Sequence, residues 1–455
     1  MANKELSRAA SQITLLASLI TSSVDVINAE YGAAGLPAPS LDASSPVESD
    51  IVDFESSRKI SRANKIIEAA CAQLCASVSR PEYTVLVKTL GFEESACLRV
   101  ASTAGIAGLL LGKPEGVHIT ELSASSGINA DKLGRVLRLL ATRHVFQEVS
   151  PNVFANNKLS LTLATSEATN DIIKLSTRET FTSATYLSDF LQGTDSTSEI
   201  KSPFHIAYGA PMMDYHNTPE GKKTVAGFMK GVAGWGEVAR KSELIRAFPW
   251  AKHFSGERTT TVCDIGGGDG HIMLMLLRAY ASYPFRVIVQ DRPAFLDLGR
   301  QLWGRDYPEG IQEKRVDFVP LDFFTEAPVE GCEIYYKAKI RHCLHNWPDD
   351  ECIIILKNIA KVMKAENILL VHETVLRHAA SSLTVAGDDV APAPLLPNFG
   401  AACYRDYAGD INMLNLLDAK DRTLEEFISL GSKSGFAFER IWDAEDTSLV
   451  EFKLA

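Results

Sequence analysis

Apolar positions in the first stretch of the chain recur at helical spacing. Ile13, Leu16, Ile20, Val24 and Ile27 stand three or four residues apart and line one face of a helix. Lys4 and Arg8 ahead of this stretch resemble the start of a signal peptide. However, Glu5 interrupts the basic region, Thr14 and Ser18 dilute the apolar one, and no small-residue cleavage site follows. The pattern predicts a packed or dimer-forming amphipathic helix. A loop rich in Pro, Ala and Ser follows from Ala33 to Ser49, and helical spacing then continues to about Gly112.

From Ile119 to Asn157 the spacing predicts a short helix opened by Thr120, a second helix from Ala130 to Thr142, and a two-stranded wing, V-F-Q-E-V-S-P-N-V-F-A-N-N. That is the outline of a winged helix. Residues from about Asp171 to Trp250 read as further helices, among them F-H-I-A-Y-G-A-P-M-M-D-Y and G-F-M-K-G-V-A-G-W-G. Beyond Thr259 short β-branched runs alternate with helical segments, the pattern of a parallel sheet. The chain thus divides into a helical extension (1–90), a helical and winged-helix region (91–250) and a doubly wound, Rossmann-like α/β domain (251–455). Ala379 to Gly400, rich in Ala, Ser and Pro without a period, is predicted to be a surface insertion.

Composition narrows the partners. The 455 residues are 46% apolar and 23% charged, and no run of eighteen apolar residues occurs, so no bilayer span is expected. The net charge of -11 gives nucleic acid little to hold. On the second helix of the winged region Lys132, Arg135 and Arg138 are crowded by Leu133, Val136, Leu137, Leu139 and Leu140. A scaffold or dimerisation role is favoured over reading DNA. The cysteines are scattered; only Cys71 and Cys75 are close, at helix-face spacing, which predicts a reducing, cytoplasmic setting and no metal site.

The strongest motif is T-T-V-C-D-I-G-G-G-D-G-H-I-M-L-M-L-L, Thr260 to Leu277. A strand ends at Asp264 and Ile265, glycines that include Gly266 and Gly268 surround Asp269, and an apolar helix begins. Glycine lets the backbone turn sharply and lets a ligand approach it closely. A phosphate-binding loop would want Gly-Lys-Ser/Thr where Gly270 and His271 stand. A nicotinamide fold would use an acid about twenty residues on, which Asp291 supplies. Asp264 favours a third choice: it would repel a pyrophosphate, yet it can accept hydrogen bonds from the ammonium of S-adenosylmethionine (SAM). Asp291 then suits the ribose hydroxyls, and Asp322 with Phe323 suits the adenine amine and ring. Arg292 and Arg341 complete the candidate cofactor set.

With these residues in place, the chain from about Phe92 onward resembles the class I SAM-dependent O-methyltransferases, in their plant caffeate-type and fungal natural-product branch. That resemblance implies an intertwined homodimer whose N-terminal helices help to close the partner's active site. The segment R-H-C-L-H-N-W-P-D-D-E-C, from Arg341 to Cys352, looks like the family's catalytic signature, which makes His345 the general base and Glu373 and Asp421 its acidic partners. Several positions depart from the family. Asn346 replaces an Asp, Asp421 replaces a Glu, and E-I-Y-Y-K-A-K-I-R-H carries an apparent two-residue insertion that brings in Lys337 and Lys339. Val232 stands where a substrate-contacting Met is common, while Met413 is retained.

A lysine at the end of a strand beside the site is costly to bury without a role. On that feature the chain resembles the fungal O-methyltransferase-like pericyclases of pyridone alkaloid biosynthesis. The resemblance implies a SAM-requiring enzyme that dehydrates a 4-hydroxy-2-pyridone alcohol to a quinone methide and directs hetero-Diels–Alder or Alder-ene closure. In it Lys337 would hydrogen-bond the pyridone, His345 would move the proton, and Val232, Met413 and Arg341 would shape the pocket. The alternatives are ordinary O-methylation of a phenolic or polyketide hydroxyl, and a SAM-sensing regulator that uses the winged helix on DNA.

Overall fold

The computed structural model describes residues 2–42, 57–193, 200–238, 243–256, 258–337, 344–380, 390–444 and 447–455. The chain divides into two compact units, Met1–Glu179 with His378–Tyr407, and Thr180–Arg377 with Ala408–Ala455.

In the first unit a long helix, Ala2–Ala34, packs along a second, Arg58–Val78, whose first turn is capped by the Ser57 hydroxyl accepting from the Ile60 amide. Leu16, Ile27 and Tyr31 are buried, as are Ile60, Ala63, Ala69 and Ala70 of the second helix. Of the predicted stripe, Ile13 and Val24 remain exposed. Composition predicts no bilayer span, but Gln12–Ala34 is long and apolar enough to cross a membrane. Hydroxyls together with Asp25, Asn28 and Glu30 break the apolar run, and Ser18, Thr21 and Ser22 donate back to the Thr14, Ala17 and Leu19 carbonyls of the same helix.

The expectation of a surface insertion at 379–400 needs correction for residues 390–400. Ala391, Leu395 and Phe399 are buried against Leu16, Ala69 and Ala70. Arg62 donates to the Val390 carbonyl and Gln73 to that of Pro394, so the helix pair grips the segment through backbone as well as apolar contacts. Residues 381–389 of the insertion lie outside the described residues.

The same unit holds helices Ile119–Ser126 and Ala130–Thr142 and a small antiparallel sheet of β1 (Val117–His118), β2 (Gln147–Ser150) and β3 (Val153–Ala155) in the order β1-β3-β2. Leu133, Leu137 and Leu140 face Leu122, Phe146 and Phe154 in its core. Helix Pro81–Thr89, by contrast, buries no side chain.

The second unit is built on a seven-stranded sheet. Its first three strands are β4 (Thr260–Ile265), β5 (Phe285–Asp291) and β6 (Val316–Pro320). β7 (Ile334–Lys337), β8 (Ile368–Glu373), β11 (Phe436–Ala444) and β12 (Thr447–Leu454) follow, and the order is β11-β12-β8-β7-β4-β5-β6. Pairing is parallel from β6 to β8, and β12 and β11 add an antiparallel edge. Alternate side chains feed separate cores on the two faces: Val262 and Tyr336 join one, Cys263, Ile265 and Tyr335 the other. The chain winds outward from β4 in one direction and from β7 in the other. The switch point thus lies between the carboxyl ends of these two strands, the general ligand position in such sheets.

Candidate active site

Four candidate residues sit at those carboxyl ends because strand length puts them there: Asp264 on β4, Asp291 on β5, Lys337 on β7 and Glu373 on β8. Beyond β4 the backbone turns through Gly266, Gly268 and Gly270, all in the left-handed region. Asp291 ties this loop to β5: one carboxylate oxygen accepts from the Gly268 amide at 2.8 Å, the other from the Arg292 amide at 2.7 Å. Asp269 bonds His271 Nδ1 at 2.6 Å, which brings into the loop a histidine with no predicted role.

Asp264 is the least satisfied of the set. It is buried, and among the described residues neither carboxylate oxygen has a hydrogen-bond partner. Burial pushes its carboxyl up to about 8; Lys337 opposes this, and Asp291 and Asp269 add to it. A Cβ on Gly267 would collide with the same carboxylate. A buried acid left without donors, against a glycine whose Cβ would strike it, fits the cationic SAM better than a phosphate group.

Lys337 is fully buried. Its ammonium donates to the Ile265 carbonyl at 3.2 Å and lies 4.1 Å from the centre of the Phe323 ring. Both partners belong to the predicted cofactor set or its loop. Phe323 also packs on Phe324, while the exposed Asp322 accepts from the Phe324 amide in a turn after β6. Arg292 lies over the Phe295 ring.

The second cluster is buried at a single 3-10 turn, Leu344–Asn346. His345 Nδ1 is 3.1 Å from Asp421 Oδ1 and 4.0 Å from Glu373 Oε2. The Leu344 amide donates to Glu373 Oε1 at 3.0 Å. Two very short strands bring the acids together: β9 (Val375–Leu376) follows Glu373, β10 (Arg422–Thr423) follows Asp421, and they pair in parallel, Val375 with Arg422. Ligand atoms of His345, Glu373 and Asp421 lie within 4.8 Å of one another, a spacing open to a cation as well. Asp421 on Nδ1 and the amide on Glu373 suit a proton-handling group, with Nδ1–H held and the lone pair on Nε2.

Asn346, the departure from the family acid, is buried, and its Oδ1 has no partner among the described residues. Val232 and Met413 stand half-buried on separate helices, Val225–Val238 and Tyr404–Leu417. Lys339 and Arg341 lie outside the described residues. Sequence reasoning passed over Arg422, whose guanidinium holds both carbonyls that flank His345; its place directly after Asp421 is the signal that could have found it.

Residues 185–437 match the O-methyltransferase domain and residues 88–166 the O-methyltransferase dimerisation domain. The chain is 40% identical to 3-O-methyltransferase 2 of Phanerochaete chrysosporium across 97% of its own length and 98% of that protein's. It is 31% identical to O-methyltransferase tpcA of Aspergillus fumigatus, with 97% and 96% covered. Among solved structures, LepI in complex with SAM superposes with a TM-score of 0.70 at 21% identity, over 90% of this chain and 97% of LepI, a likeness of fold.

Proposed function

This chain belongs to the SAM-dependent O-methyltransferase family, and from that premise we propose that it methylates a hydroxyl of a phenolic or polyketide-derived small molecule, with His345 as general base. The observation that carries this reading is the buried His345–Asp421 pair at 3.1 Å with Glu373 beside it. Asp421 holds the Nδ1–H tautomer and stabilises the imidazolium, so Nε2 accepts the hydroxyl proton as the oxygen becomes nucleophilic. Glu373 adds negative charge and fixes the turn through the Leu344 amide. Asp264 would accept from the cofactor ammonium, Asp291 from the ribose, and Phe323 would offer its ring to the adenine. Bound SAM supplies an electrophilic methyl group on its sulfonium. Lys337, against Ile265 and Phe323, acts on the cofactor side.

A second reading keeps SAM as a fixed charge and assigns pericyclic chemistry to the site. The observations that favour it are the buried cation at Lys337 and Asn346 in place of the family acid. In that reading Lys337 would hydrogen-bond a pyridone oxygen and direct hetero-Diels–Alder or Alder-ene closure after loss of water.

Product mass separates the two. The purified protein, given SAM and a panel of phenols and a hydroxylated pyridone, is expected to form S-adenosylhomocysteine in step with a product that has gained a methyl group in place of a hydrogen. His345→Ala should lower kcat by roughly 10²–10⁴-fold. Loss of water from the pyridone without S-adenosylhomocysteine would establish the second reading instead.

A further inference from the structure

Arg422 is fully enclosed, and an enclosed guanidinium is tolerated only where its donors are matched. The match is specific. Nη1 donates to the Leu344 carbonyl at 2.9 Å, and Nη2 donates to the Trp347 carbonyl at 2.8 Å. Nε and Nη2 both reach Asp349 Oδ1, at 3.0 and 2.8 Å. Leu344 and Trp347 bracket His345 and Asn346, so the fork takes hold of the turn on both sides of the base. Asp349 anchors the fork at the first residue of helix Asp349–Ala360.

The turn needs such support. One 3-10 turn has poor hydrogen-bond geometry of its own and is held by its surroundings. Glu373 takes its leading amide, Asp421 takes the His345 ring, and Arg422 takes its carbonyls. Asp421 and Arg422 are adjacent, and the β9–β10 pairing places them together, so the group that orients the ring and the group that shapes the turn move as one.

We infer that Arg422 is a positioning residue: by clamping the Leu344 and Trp347 carbonyls it fixes the turn that aims His345, and so preserves the Nδ1–Asp421 bond. This rests on His345 being the base. Lysine cannot replace it, since a single ammonium on a flexible stem lacks the planar fork that reaches two carbonyls and a carboxylate at once.

The test uses the full-length protein saturated with S-adenosylhomocysteine. The hydrogen-bonded Nδ1 proton of His345 gives a low-field NMR resonance, assigned by its absence in His345→Gln. In Arg422→Lys the resonance should vanish and the melting temperature should fall, since two buried carbonyls and Asp349 lose matched donors, while S-adenosylhomocysteine affinity stays near wild type. With the phenol that is turned over most readily, kcat should fall about 10²-fold, as misplacement of a catalytic group by an ångström does, and KM should hold within about threefold. An unchanged resonance and kcat overturn the inference. So does a parallel fall of kcat and S-adenosylhomocysteine affinity, which marks a merely structural arginine. If Arg422→Lys does not fold, Asp349→Ala removes the carboxylate that anchors the fork, and its side chain is 43% exposed. It should weaken the resonance and lower kcat about tenfold; no change in either overturns the inference. Full turnover in His345→Gln would overturn the base reading instead, and the resonance of the Arg422 variant still tests the clamp.

Discussion

Asp264 faces opposite demands in the empty and the loaded protein. Buried without donors among the described residues, its carboxyl rises from an ordinary 3.8 to about 8, chiefly through burial. The folded chain therefore holds this proton more tightly than the unfolded chain does. Between those two values each rise in pH costs folding stability, because the unfolded chain ionises the group more easily. Asp264→Asn removes the penalty, so without cofactor it should melt roughly 2 °C or more above wild type at about pH 9. Cofactor binding runs the other way. A cationic ligand wants the carboxylate, so wild-type affinity for SAM should rise about tenfold per pH unit below about pH 8. Calorimetric titration of Asp264→Asn should show affinity roughly 10–100-fold weaker and without that pH slope in excess. Equal affinities and slopes would remove Asp264 from the cofactor site. The chemistry of this residue was legible in sequence because an acid one residue ahead of a glycine run is itself a chemical statement. The setting of Lys337 was not: a strand end fixes where the lysine starts, not that its ammonium turns to Ile265 and Phe323. Arg422 was silent for another reason, since its partners at Leu344 and Trp347 are backbone carbonyls that every residue possesses.

Between residues and the whole stand the elements that carry them, and the glycine loop is the most demanding. Gly267 has ordinary backbone geometry, so alanine would suit its backbone; the obstacle is the Asp264 carboxylate, which a Cβ would strike. Gly267→Ala should therefore keep the fold and the melting temperature of the empty protein to within a few degrees, yet lose cofactor affinity by about 10²-fold if Asp264 is the group that meets the ammonium, because the new methyl displaces it. Calorimetry beside thermal unfolding checks both halves, and wild-type affinity in this variant would show that the loop can yield. Elements with a clear period or turn chemistry were readable: helix Ala130–Thr142, β4 with its glycines, and β5 ending on Asp291 all stand where their patterns put them. The segment after residue 390 was not. Ala391, Leu395 and Phe399 are spaced four apart like one face of a helix, but Pro392, Pro394 and Pro397 interrupt any helical reading. Burial there comes from partners more than three hundred residues away, Arg62 and Gln73 among them, which no local pattern reports.

At the scale of the whole molecule, alternation of strands and helices was enough to foresee a doubly wound sheet. Assembly leaves a different mark, an apolar surface that stays exposed among the described residues. Helix Pro81–Thr89 carries Tyr83, Val85, Leu86 and Val87 at exposures of 63, 62, 54 and 46%, and Leu90 continues the patch. A run of large exposed apolar side chains on a folded chain marks an interaction surface. Its C-terminal end enters the segment that matches the O-methyltransferase dimerisation domain, residues 88–166, so the occupant that continuity selects is a second copy of this chain. Sedimentation equilibrium of the wild type is expected to give a dimer. Leu86→Glu puts a charge into the middle of this patch, where a partner would have to desolvate it without a counter-ion. It should weaken self-association by roughly 10²-fold or more while leaving the fold intact, because Leu86 is 54% exposed. A dimer of unchanged affinity would place the interface elsewhere on the dimerisation domain. A monomer that retains full methyl transfer would show that each copy completes its own site.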